Sequence, residues 1–458
     1  MKVVLVAPNS SAHTVTPPLG LGYLAACVQQ RGHEVALLDL ARRRLGAESG
    51  VRELALLKPD LIGISILSTA YLPAQELIAA IKQKLPSVPL VIGGPHVTAV
   101  PDDALKNLGV PLGIIGEAEL VFPRVVDALA AGRSPDGELA SVCRLVGDEV
   151  SCSRRSPFIE DLDSLPFPAW ELMDPRTYPD LPHQLLSRKF PVGSVMTSRG
   201  CPFDCTFCAS TTLWGKRWRT RSPENVVDEI EMLVKDYQVQ EIHFEDDNFT
   251  LKRSHAAAIC EEMLRRGLDI VWSTPNGVRI DSLDDELLDL MRRSGCYALG
   301  FGIESGSQKV LDINHKRLNL EKVAGKVEMV KGHGIETNGF FIIGLPGETV
   351  DTIKETVSFA LKVPFDRANF GLLAPLPGSA IFQEQVLDRS RDGSIDYRAF
   401  NYFTPFPMGD LDARQLNRWQ RRSVLRFYGR PHQMWHLLRN TRPGQVKEIL
   451  KALISYSN

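Results

Sequence analysis

Three cysteines, Cys201, Cys205 and Cys208, lie within eight consecutive positions of this 458-residue chain. Disulfides need cysteines in pairs, and a structural zinc ion needs four ligands. Three thiolates in one loop can hold three corners of a [4Fe–4S] cluster and leave the fourth iron open to a small molecule. A zinc site would need a further ligand, for which His183 and His243 are the candidates. The spacing therefore favours an iron–sulfur cluster.

Polar residues and a glycine follow the predicted strands of the second half of the chain. Carboxylates at a strand end are costly to bury and need cationic or hydrogen-bonding partners. Arginine can meet a carboxylate through a forked hydrogen bond, and glycine lets a flat ring approach the backbone. The candidate positions in this half are Glu245, Asp246, Asn276, Arg279, Glu304, Ser305, Ile343 and Gly344.

The first 132 residues alternate short apolar strands with helical patterns, which predicts a doubly wound parallel sheet covered on both faces. The predicted strands are 2–7, 34–38, 61–66, 90–92 and 112–115. The predicted helices are 19–31, 73–85 and 119–131. Such domains bind ligands at the carboxyl ends of their strands.

Residues 133–191 are rich in proline and are interpreted as an ordered linker, with a hairpin turn at Gly147-Asp148. Residues 192–399 resume the alternation, and six strand–helix units predict a partial (β/α)6 barrel of the TIM type. Its predicted strands are 192–198, 241–244, 270–273, 298–303, 337–343 and 368–373. Its predicted helices are 223–237, 254–266, 284–294, 320–332 and 349–362. The small region 400–458 is predicted to be helical at 412–427 and 444–455, giving an α/β protein overall.

Composition excludes several classes of protein. A formal net charge of −2 gives no global basic field that would recruit nucleic acid. The amino-terminal apolar run is too short for a signal peptide, and no stretch is suited to spanning a bilayer, so a cytoplasmic location is expected. Thiols stay reduced there. The other five cysteines are therefore predicted to be buried small hydrophobes rather than disulfides: Cys27, Cys143, Cys152, Cys260 and Cys296.

The arrangement Cys201-x3-Cys205-x2-Cys208, with Phe207 before the last cysteine, resembles the signature of radical S-adenosylmethionine (SAM) enzymes. In that family the open iron chelates SAM, and one electron cleaves SAM to a 5′-deoxyadenosyl radical. The resemblance implies that SAM contacts come from Phe207 and from the candidate positions of the second half named above.

A doubly wound domain before such a barrel resembles the class with an amino-terminal cobalamin (B12)-binding domain. The resemblance implies cobalamin contacts after the predicted strands, at Thr16, Pro17, Leu19, Gly20, Ser65, Ser68, Tyr71, Gly93, Gly94, His96, Val97, Gly116 and Glu117. Glycines allow close backbone approach and hydroxyls supply hydrogen bonds. The chain lacks the Asp-x-His-x-x-Gly run of domains that ligate cobalt by histidine, so no histidine ligand to cobalt is expected.

The resemblance implies a cobalamin-dependent radical SAM methyltransferase that methylates an unactivated carbon through the 5′-deoxyadenosyl radical and methylcobalamin. A cyclase or rearrangement enzyme of the same class is an alternative, and a non-catalytic corrinoid-binding or redox-sensing protein is another. The implied partners are a small-molecule or natural-product substrate and a low-potential donor such as flavodoxin or ferredoxin. The arginine-rich tail favours a solvated face over tRNA binding, and it is also compatible with an anionic membrane surface.

Overall fold

The computed structural model describes residues 1–9, 15–135, 139–178, 187–387, 395–401 and 403–441. The chain forms two compact units. The first comprises 1–178, 209–219 and 376–400, and the second comprises 179–208, 220–375 and 401–458. Within the described residues, no helix combines the length and hydrophobicity that crossing a bilayer requires.

The first unit contains a seven-stranded sheet in the order β2-β1-β3-β4-β5-β6-β7. The first five strands are parallel, and the last two are antiparallel. The strands are β1 (Lys2–Ala7), β2 (Glu34–Asp39), β3 (Leu61–Ser65), β4 (Leu90–Gly93), β5 (Leu112–Ile114), β6 (Val142–Val146) and β7 (Glu149–Cys152). The predicted doubly wound sheet is confirmed. Its strand order reverses between β1 and β3, and sheets of this kind bind ligands outside the carboxyl ends of the strands at such a point.

Helices cover both faces of this sheet and bury two apolar clusters against it. They are α1 (Leu19–Gln29), α2 (Leu40–Arg43), α3 (Ala47–Leu57), α4 (Tyr71–Lys84), α5 (Pro95–Ala99), α6 (Pro101–Leu108) and α7 (Phe122–Ala130). Two short helices from later in the chain, α8 (Ser210–Trp214) and α15 (Ala380–Phe382), belong to the same unit. The sequence did not predict α2, α3, α5 or α6, because they are short or interrupted by glycine and proline.

Two findings correct the prediction for residues 133–191. The hairpin predicted at Gly147-Asp148 is present, but its strands β6 and β7 extend the first sheet instead of belonging to a linker. Cys143 and Cys152 stand directly opposite each other on these strands, with Cα atoms 4.0 Å apart, and they form a disulfide. The expectation that both would be unbridged is wrong, because nine residues of spacing across a hairpin bring the two thiols together. Cys27, Cys260 and Cys296 are buried and are not part of a disulfide, as predicted.

The second unit is built on six parallel strands in the order β15-β14-β13-β12-β11-β8. This confirms the predicted partial barrel. The strands are β8 (Val192–Val195), β11 (Glu241–Phe244), β12 (Val271–Val278), β13 (Cys296–Glu304), β14 (Glu336–Ile343) and β15 (Arg367–Leu372). Two strands of two residues each, β9 (Ser198–Arg199) and β10 (Arg219–Thr220), lie outside this sheet.

The helices of the second unit connect these strands and extend beyond them. They are α9 (Pro223–Tyr237), α10 (Arg253–Arg265), α11 (Asp285–Arg293), α12 (Gln308–Ile313), α13 (Leu320–Gly332), α14 (Val350–Lys362), α16 (Ala413–Tyr428) and α17 (Pro431–Asn440). Helix α16 matches the helix predicted at 412–427, and its Gln420 donates to the Phe370 carbonyl of β15 at 3.0 Å. The helix predicted at 444–455 lies outside the described residues.

Strand β12 is longer than the predicted strand 270–273. Its register with β13 is irregular between Thr274 and Val278, where Pro275 interrupts the ladder. Proline is tolerated in a strand at such a bulge. Asn276 therefore lies within the strand, whereas the sequence placed it after the strand end.

Candidate functional site

The three cysteines of the second unit lie on the loop that follows β9. All three are partly buried and none is in a disulfide. The Cys208 amide donates to the Cys205 carbonyl at 3.1 Å, which curls the loop. Burial raises the pKa of Cys201 to about 11 and also raises the pKa of Cys205. Metal binding must therefore displace thiol protons, as it does for thiolate ligands in general.

The structure bears on the zinc alternative through the surroundings of the candidate histidines. No group of three or more His, Cys, Asp or Glu residues in the described ranges is arranged to hold one metal ion. The zinc alternative loses support, because His243 is held in a buried pair with Glu241, Nε2 to Oε1 2.7 Å. His183 lies outside the described residues.

Asp246 anchors the chain just before the cysteine loop. Its carboxylate accepts from the Thr197 amide at 3.1 Å, from the Thr197 hydroxyl at 2.8 Å and from the Ser198 hydroxyl. Asp246 is 2% exposed, and burial raises the pKa of its carboxyl group. Asp246, predicted to contact SAM, therefore fixes the backbone that leads into Cys201.

Glu245 and Asn276, two of the predicted SAM contacts, are hydrogen-bonded to each other. The Asn276 side-chain amide donates to Glu245 Oε2 at 3.0 Å and to the Glu245 carbonyl at 2.9 Å. Glu245 Oε1 accepts from Ser194 at 3.2 Å. Both residues keep some exposure, so this strand-end carboxylate is oriented without being sealed from solvent.

Arg279 and Glu304 are committed to contacts within the unit. The Arg279 guanidinium lies 4.0 Å from the centroid of Phe203 in the cysteine loop and donates to the carbonyls of Lys316 and Arg317. Glu304 Oε1 accepts from Lys316 Nζ at 2.7 Å. The Lys316 ammonium is 6.0 Å from the ring centroid of Phe207. A buried carboxylate here thus has the cationic partner that burial requires.

The ends of β13 and β14 are rigid turns. Ser305 is fully buried, and its hydroxyl is 3.1 Å from that of Thr356 on α14. Ile343 is fully buried as well. Gly344 has φ 100°, a conformation that favours glycine, and its amide donates to the Glu348 carboxylate. Burial raises the pKa of Glu348 to about 8.

The first unit has a cradle of glycines at the ends of β3 and β4. Gly94 has φ 93°, and a Cβ added there would stand 2.7 Å from the Ser65 hydroxyl and 2.9 Å from the Ile66 amide. The Ile66 amide donates to the Gly93 carbonyl at 2.8 Å, and the His96 amide donates to the Ile66 carbonyl at 3.0 Å. Backbone hydrogen bonds therefore join two loops at the carboxyl edge of the sheet, and both loops are predicted to contact cobalamin.

His96 and Tyr71 belong to an aromatic cluster beside this cradle. His96 Nδ1 lies 3.1 Å from the Ser68 hydroxyl, and its Nε2 is buried with no hydrogen-bond partner among the described residues. Burial lowers the pKa of His96 to about 4, so its imidazole is neutral near pH 7. The Tyr71 ring stacks on that of Tyr397 at 3.7 Å. An unpaired buried nitrogen beside a glycine cradle is a feature that a bulky polar ligand would satisfy.

Glu117 has a structural partner that the sequence did not reveal. It forms a buried ion pair with Arg219, Oε1 to Nη1 2.8 Å, and both side chains are 2% exposed. Glu117 Oε2 also accepts from the Ile159 amide at 2.7 Å. The adjacent Gly116 has φ 77°, and a Cβ there would stand 2.8 Å from Arg155. Contacts within the first unit therefore explain why Glu117 is buried.

The remaining predicted cobalamin contacts lie around the same edge. Thr16 is exposed and Pro17 is buried, just before α1, which begins with Leu19 and Gly20. Val97 is fully buried in α5. Residues 10–14, between β1 and this segment, lie outside the described ranges.

Sequence reasoning missed several residues that shape the site. Thr197, Ser198, Asn314, Lys316 and Arg219 carried no motif, and their partners are 12 to 108 residues away in the chain. Glu348 did carry a signal, because it closes the Gly-Leu-Pro-Gly-Glu run that ends β14.

Comparisons with known proteins agree with this geometry. A family model for the radical SAM superfamily matches residues 195–360, and one for the B12 binding domain matches residues 6–126. The radical SAM match contains the three cysteines, and the B12 match contains the glycine cradle.

Curated relatives resemble the chain over most of its length. An uncharacterized methyltransferase of Pyrococcus horikoshii is 32% identical, over 94% of this chain and 93% of the relative. Cytidylyl-2-hydroxyethylphosphonate methyltransferase of Streptomyces wedmorensis is 31% identical, over 91% and 86% respectively. Anaerobic magnesium-protoporphyrin IX monomethyl ester cyclase of Rubrivivax gelatinosus is 30% identical, over 91% and 75%.

Two solved structures share the fold. The cobalamin-dependent SAM radical enzyme OxsB superposes with a TM-score of 0.74 at 18% identity, covering 100% of this chain and 70% of that one. The radical SAM methyltransferase TsrM of Kitasatospora setae superposes with a TM-score of 0.70 at 19% identity, covering 96% and 89%. The family matches and the extent of the curated relatives confirm the predicted class of enzyme and its cofactors. The chain therefore belongs to the cobalamin-dependent branch of the radical SAM superfamily.

Proposed function

We propose that this enzyme transfers a methyl group from SAM to a carbon of a small-molecule substrate. The observation that carries the proposal is the presence, in one chain, of a braced three-cysteine loop and a glycine cradle, each in its own unit. When bound, the cluster supplies the electron that cleaves SAM, and cobalamin carries the methyl group.

The residues of the second unit divide the work of holding the cluster and SAM. Cys201, Cys205 and Cys208 would hold three irons. Glu245, oriented by Asn276, presents a carboxylate suited to the SAM amino group. Gly344 offers a backbone that a flat adenine can approach. Asp246 and Arg279 act through the loop, which they hold in shape.

The residues of the first unit would hold cobalamin. Gly93 and Gly94 let the loops after β3 and β4 pack closely at the sheet edge, and Ser65, Ser68 and His96 supply polar atoms there. His96 Nε2 is the buried atom that a ligand is best placed to satisfy. These assignments extend the predicted contacts and require a low-potential donor protein, such as a flavodoxin or ferredoxin, to deliver electrons.

A cyclase is the second candidate, favoured by the 30% identity to the magnesium-protoporphyrin ester cyclase. The two candidates differ in what happens to the methyl group of SAM. Methyl transfer yields S-adenosylhomocysteine from one SAM and 5′-deoxyadenosine from another, whereas a cyclase of this class yields 5′-deoxyadenosine alone.

The test is an anaerobic incubation of the reconstituted enzyme with reductant and SAM that carries a deuterated methyl group. Mass spectrometry would quantify S-adenosylhomocysteine, 5′-deoxyadenosine and the label on cobalamin. We expect both nucleosides and labelled cobalamin. 5′-Deoxyadenosine without S-adenosylhomocysteine would favour the cyclase, and neither product from enzyme that holds both cofactors would contradict both candidates.

A further inference from the structure

A four-residue loop after α12, Asn314–Arg317, contacts the cysteine loop along one side. Two of its residues, His315 at φ 54° and Arg317 at φ 50°, adopt left-handed backbone conformations without being glycine. Such conformations persist only where surrounding contacts enforce them, and they concentrate at ligand clamps. We call this segment the brace loop.

The brace loop runs alongside the cysteine loop, residue against residue. The Arg317 guanidinium pairs with Asp204 Oδ1 at 3.2 Å. The Cys205 thiol points at the His315 carbonyl, Sγ to O 3.8 Å. Thr206 donates twice to Asn314, from its amide at 3.2 Å and from its hydroxyl at 2.8 Å. Three consecutive residues of the cysteine loop are therefore tied to one short segment.

Other residues of the second unit hold the brace loop in place. Asn314 is fully buried, and its amide donates to the carbonyls of Val310 at 2.8 Å and Pro346 at 3.0 Å. Arg279 donates to two brace-loop carbonyls while its guanidinium covers Phe203. Its position is thus fixed by the barrel rather than by the cysteine loop alone.

Lys316 turns its ammonium inward instead of toward solvent. Its side chain is 11% exposed and pairs with Glu304, which is equally buried. A Cβ added at Gly302 would stand 2.9 Å from Lys316 Nζ, so the pair lies directly over the β13 backbone. Lys316 Nζ lies 6.0 Å from the ring centroid of Phe207, which stands between Cys205 and Cys208 in the chain. The ammonium group is therefore placed beside the loop that carries the cysteines.

We propose that the brace loop is a positioning element for the iron–sulfur cluster and that the Lys316 ammonium raises the cluster's reduction potential. Reduction adds an electron to the cluster, and a nearby cation with little solvent screening stabilises the added charge. Glu304 opposes this effect and keeps the lysine in place. The proposal rests on the cysteines holding a cluster, as the proposed function requires, but not on methyl transfer.

The experiment is an anaerobic redox titration of the reconstituted full chain without SAM, followed by electron paramagnetic resonance of the reduced cluster. We expect Lys316→Met to lower the ratio of reduced to oxidised cluster about tenfold at one applied potential, which is about 59 mV for one electron. Lys316→Arg should restore the wild-type ratio. Lys322→Met, at an exposed lysine of α13, is the matched control and should match wild type.

Glu304→Gln should have the opposite effect on the cluster. It removes the negative charge that opposes Lys316, so it should raise the ratio of reduced to oxidised cluster. It also keeps the test decisive if Lys316→Met fails to assemble a cluster. Wild-type ratios in the Lys316 and Glu304 variants with full iron content would overturn the electrostatic role. This outcome is distinct from failure of methyl transfer, since no turnover is measured.

The gripping role has its own readout, the rate at which a chelator removes iron. Thr206→Val deletes the hydroxyl that donates to Asn314 and should speed iron loss severalfold. Thr206→Ser keeps the hydroxyl and should lose iron at the wild-type rate. Equal rates in all three proteins would contradict the role of the brace loop as a clamp.

Discussion

The two units hold their candidate sites by different means. In the second unit, polar side chains fix the cysteine loop: Asp246 holds its entrance, Arg279 covers Phe203, and Asn314 holds Thr206. In the first unit, the backbone itself fixes the candidate site, because the glycine cradle depends on Gly94 and on amide–carbonyl hydrogen bonds between neighbouring loops. A reactive metal site needs its ligands fixed one by one, whereas a large organic cofactor needs space beside a rigid sheet edge. The two designs therefore predict different responses to substitution.

The cysteine loop should show the largest effect. Replacing Cys201, Cys205 or Cys208 by alanine removes a predicted cluster ligand, so we expect loss of most bound iron and of the visible absorbance of the cluster. Cobalamin binding should persist, because the cradle lies in the other unit. Cys260→Ala, at a buried free cysteine of α10, is the control and should keep its iron. Full iron content in a triad variant would show that the loop is not the cluster site.

The buried ion pair of the first unit should give the next largest effect. Glu117→Ala leaves Arg219 charged and buried, which costs about 3–5 kcal/mol of stability. Glu160→Ala breaks an exposed pair with Arg217, whose side chains are 57% and 73% exposed, and should cost less than about 1 kcal/mol. Chemical denaturation followed by circular dichroism measures both changes. Similar costs for the two variants would mean that the pair does not hold the segment 209–219.

The glycine cradle should respond to a single methyl group. Gly94→Ala places a Cβ against Ser65 and Ile66 at a left-handed φ, so we expect a loss of about 1–3 kcal/mol and weaker cobalamin binding. Gly46→Ala introduces a methyl group with no atom within 4 Å and is the control. Equilibrium dialysis with hydroxocobalamin gives the affinity. Unchanged affinity in Gly94→Ala would argue that the cradle is not part of the cobalamin site.

The last predicted effect concerns pH and the turn after β14. The pKa of Glu348 is raised from 4.5 to about 8 by burial, so the folded protein retains a proton that the unfolded chain releases. Its stabilising contribution is complete below pH 4.5 and is lost as pH rises to about 8, at a slope of at most about 1.4 kcal/mol per pH unit.

Glu348→Gln should flatten this dependence, and unfolding midpoints measured from pH 5 to pH 9 would show it. Glu328→Gln, at an exposed carboxylate of α13, should keep the wild-type slope. A wild-type slope in Glu348→Gln would indicate that another group titrates in this range.

The sequence predicted the architecture because short, continuously apolar strands that alternate with helical segments form a clear pattern, and three cysteines in eight positions form another. It placed Glu245 and Asn276 near the ends of the second and third predicted strands but did not predict the hydrogen bond between them. It missed the contacts that depend on long-range packing, such as Glu117 with Arg219 and Lys316 with Glu304. Nothing in the local sequence marks Asn314 or Lys316, because their conformations are imposed by the barrel. The disulfide between Cys143 and Cys152 was not predicted, because reduced thiols were expected, although the turn at Gly147-Asp148 places the two cysteines opposite each other.

The most direct test of the account is to measure both cofactors on the same purified chain. After anaerobic reconstitution and removal of unbound material, iron, sulfide and cobalamin would be quantified in wild type, Cys205→Ala and Gly94→Ala. We predict about four irons and about one cobalamin per wild-type chain, loss of iron alone in Cys205→Ala, and weakened cobalamin retention alone in Gly94→Ala. Loss of both cofactors from either folded variant, or a wild-type chain that retains only one of them, would contradict the claim that each unit holds its own cofactor.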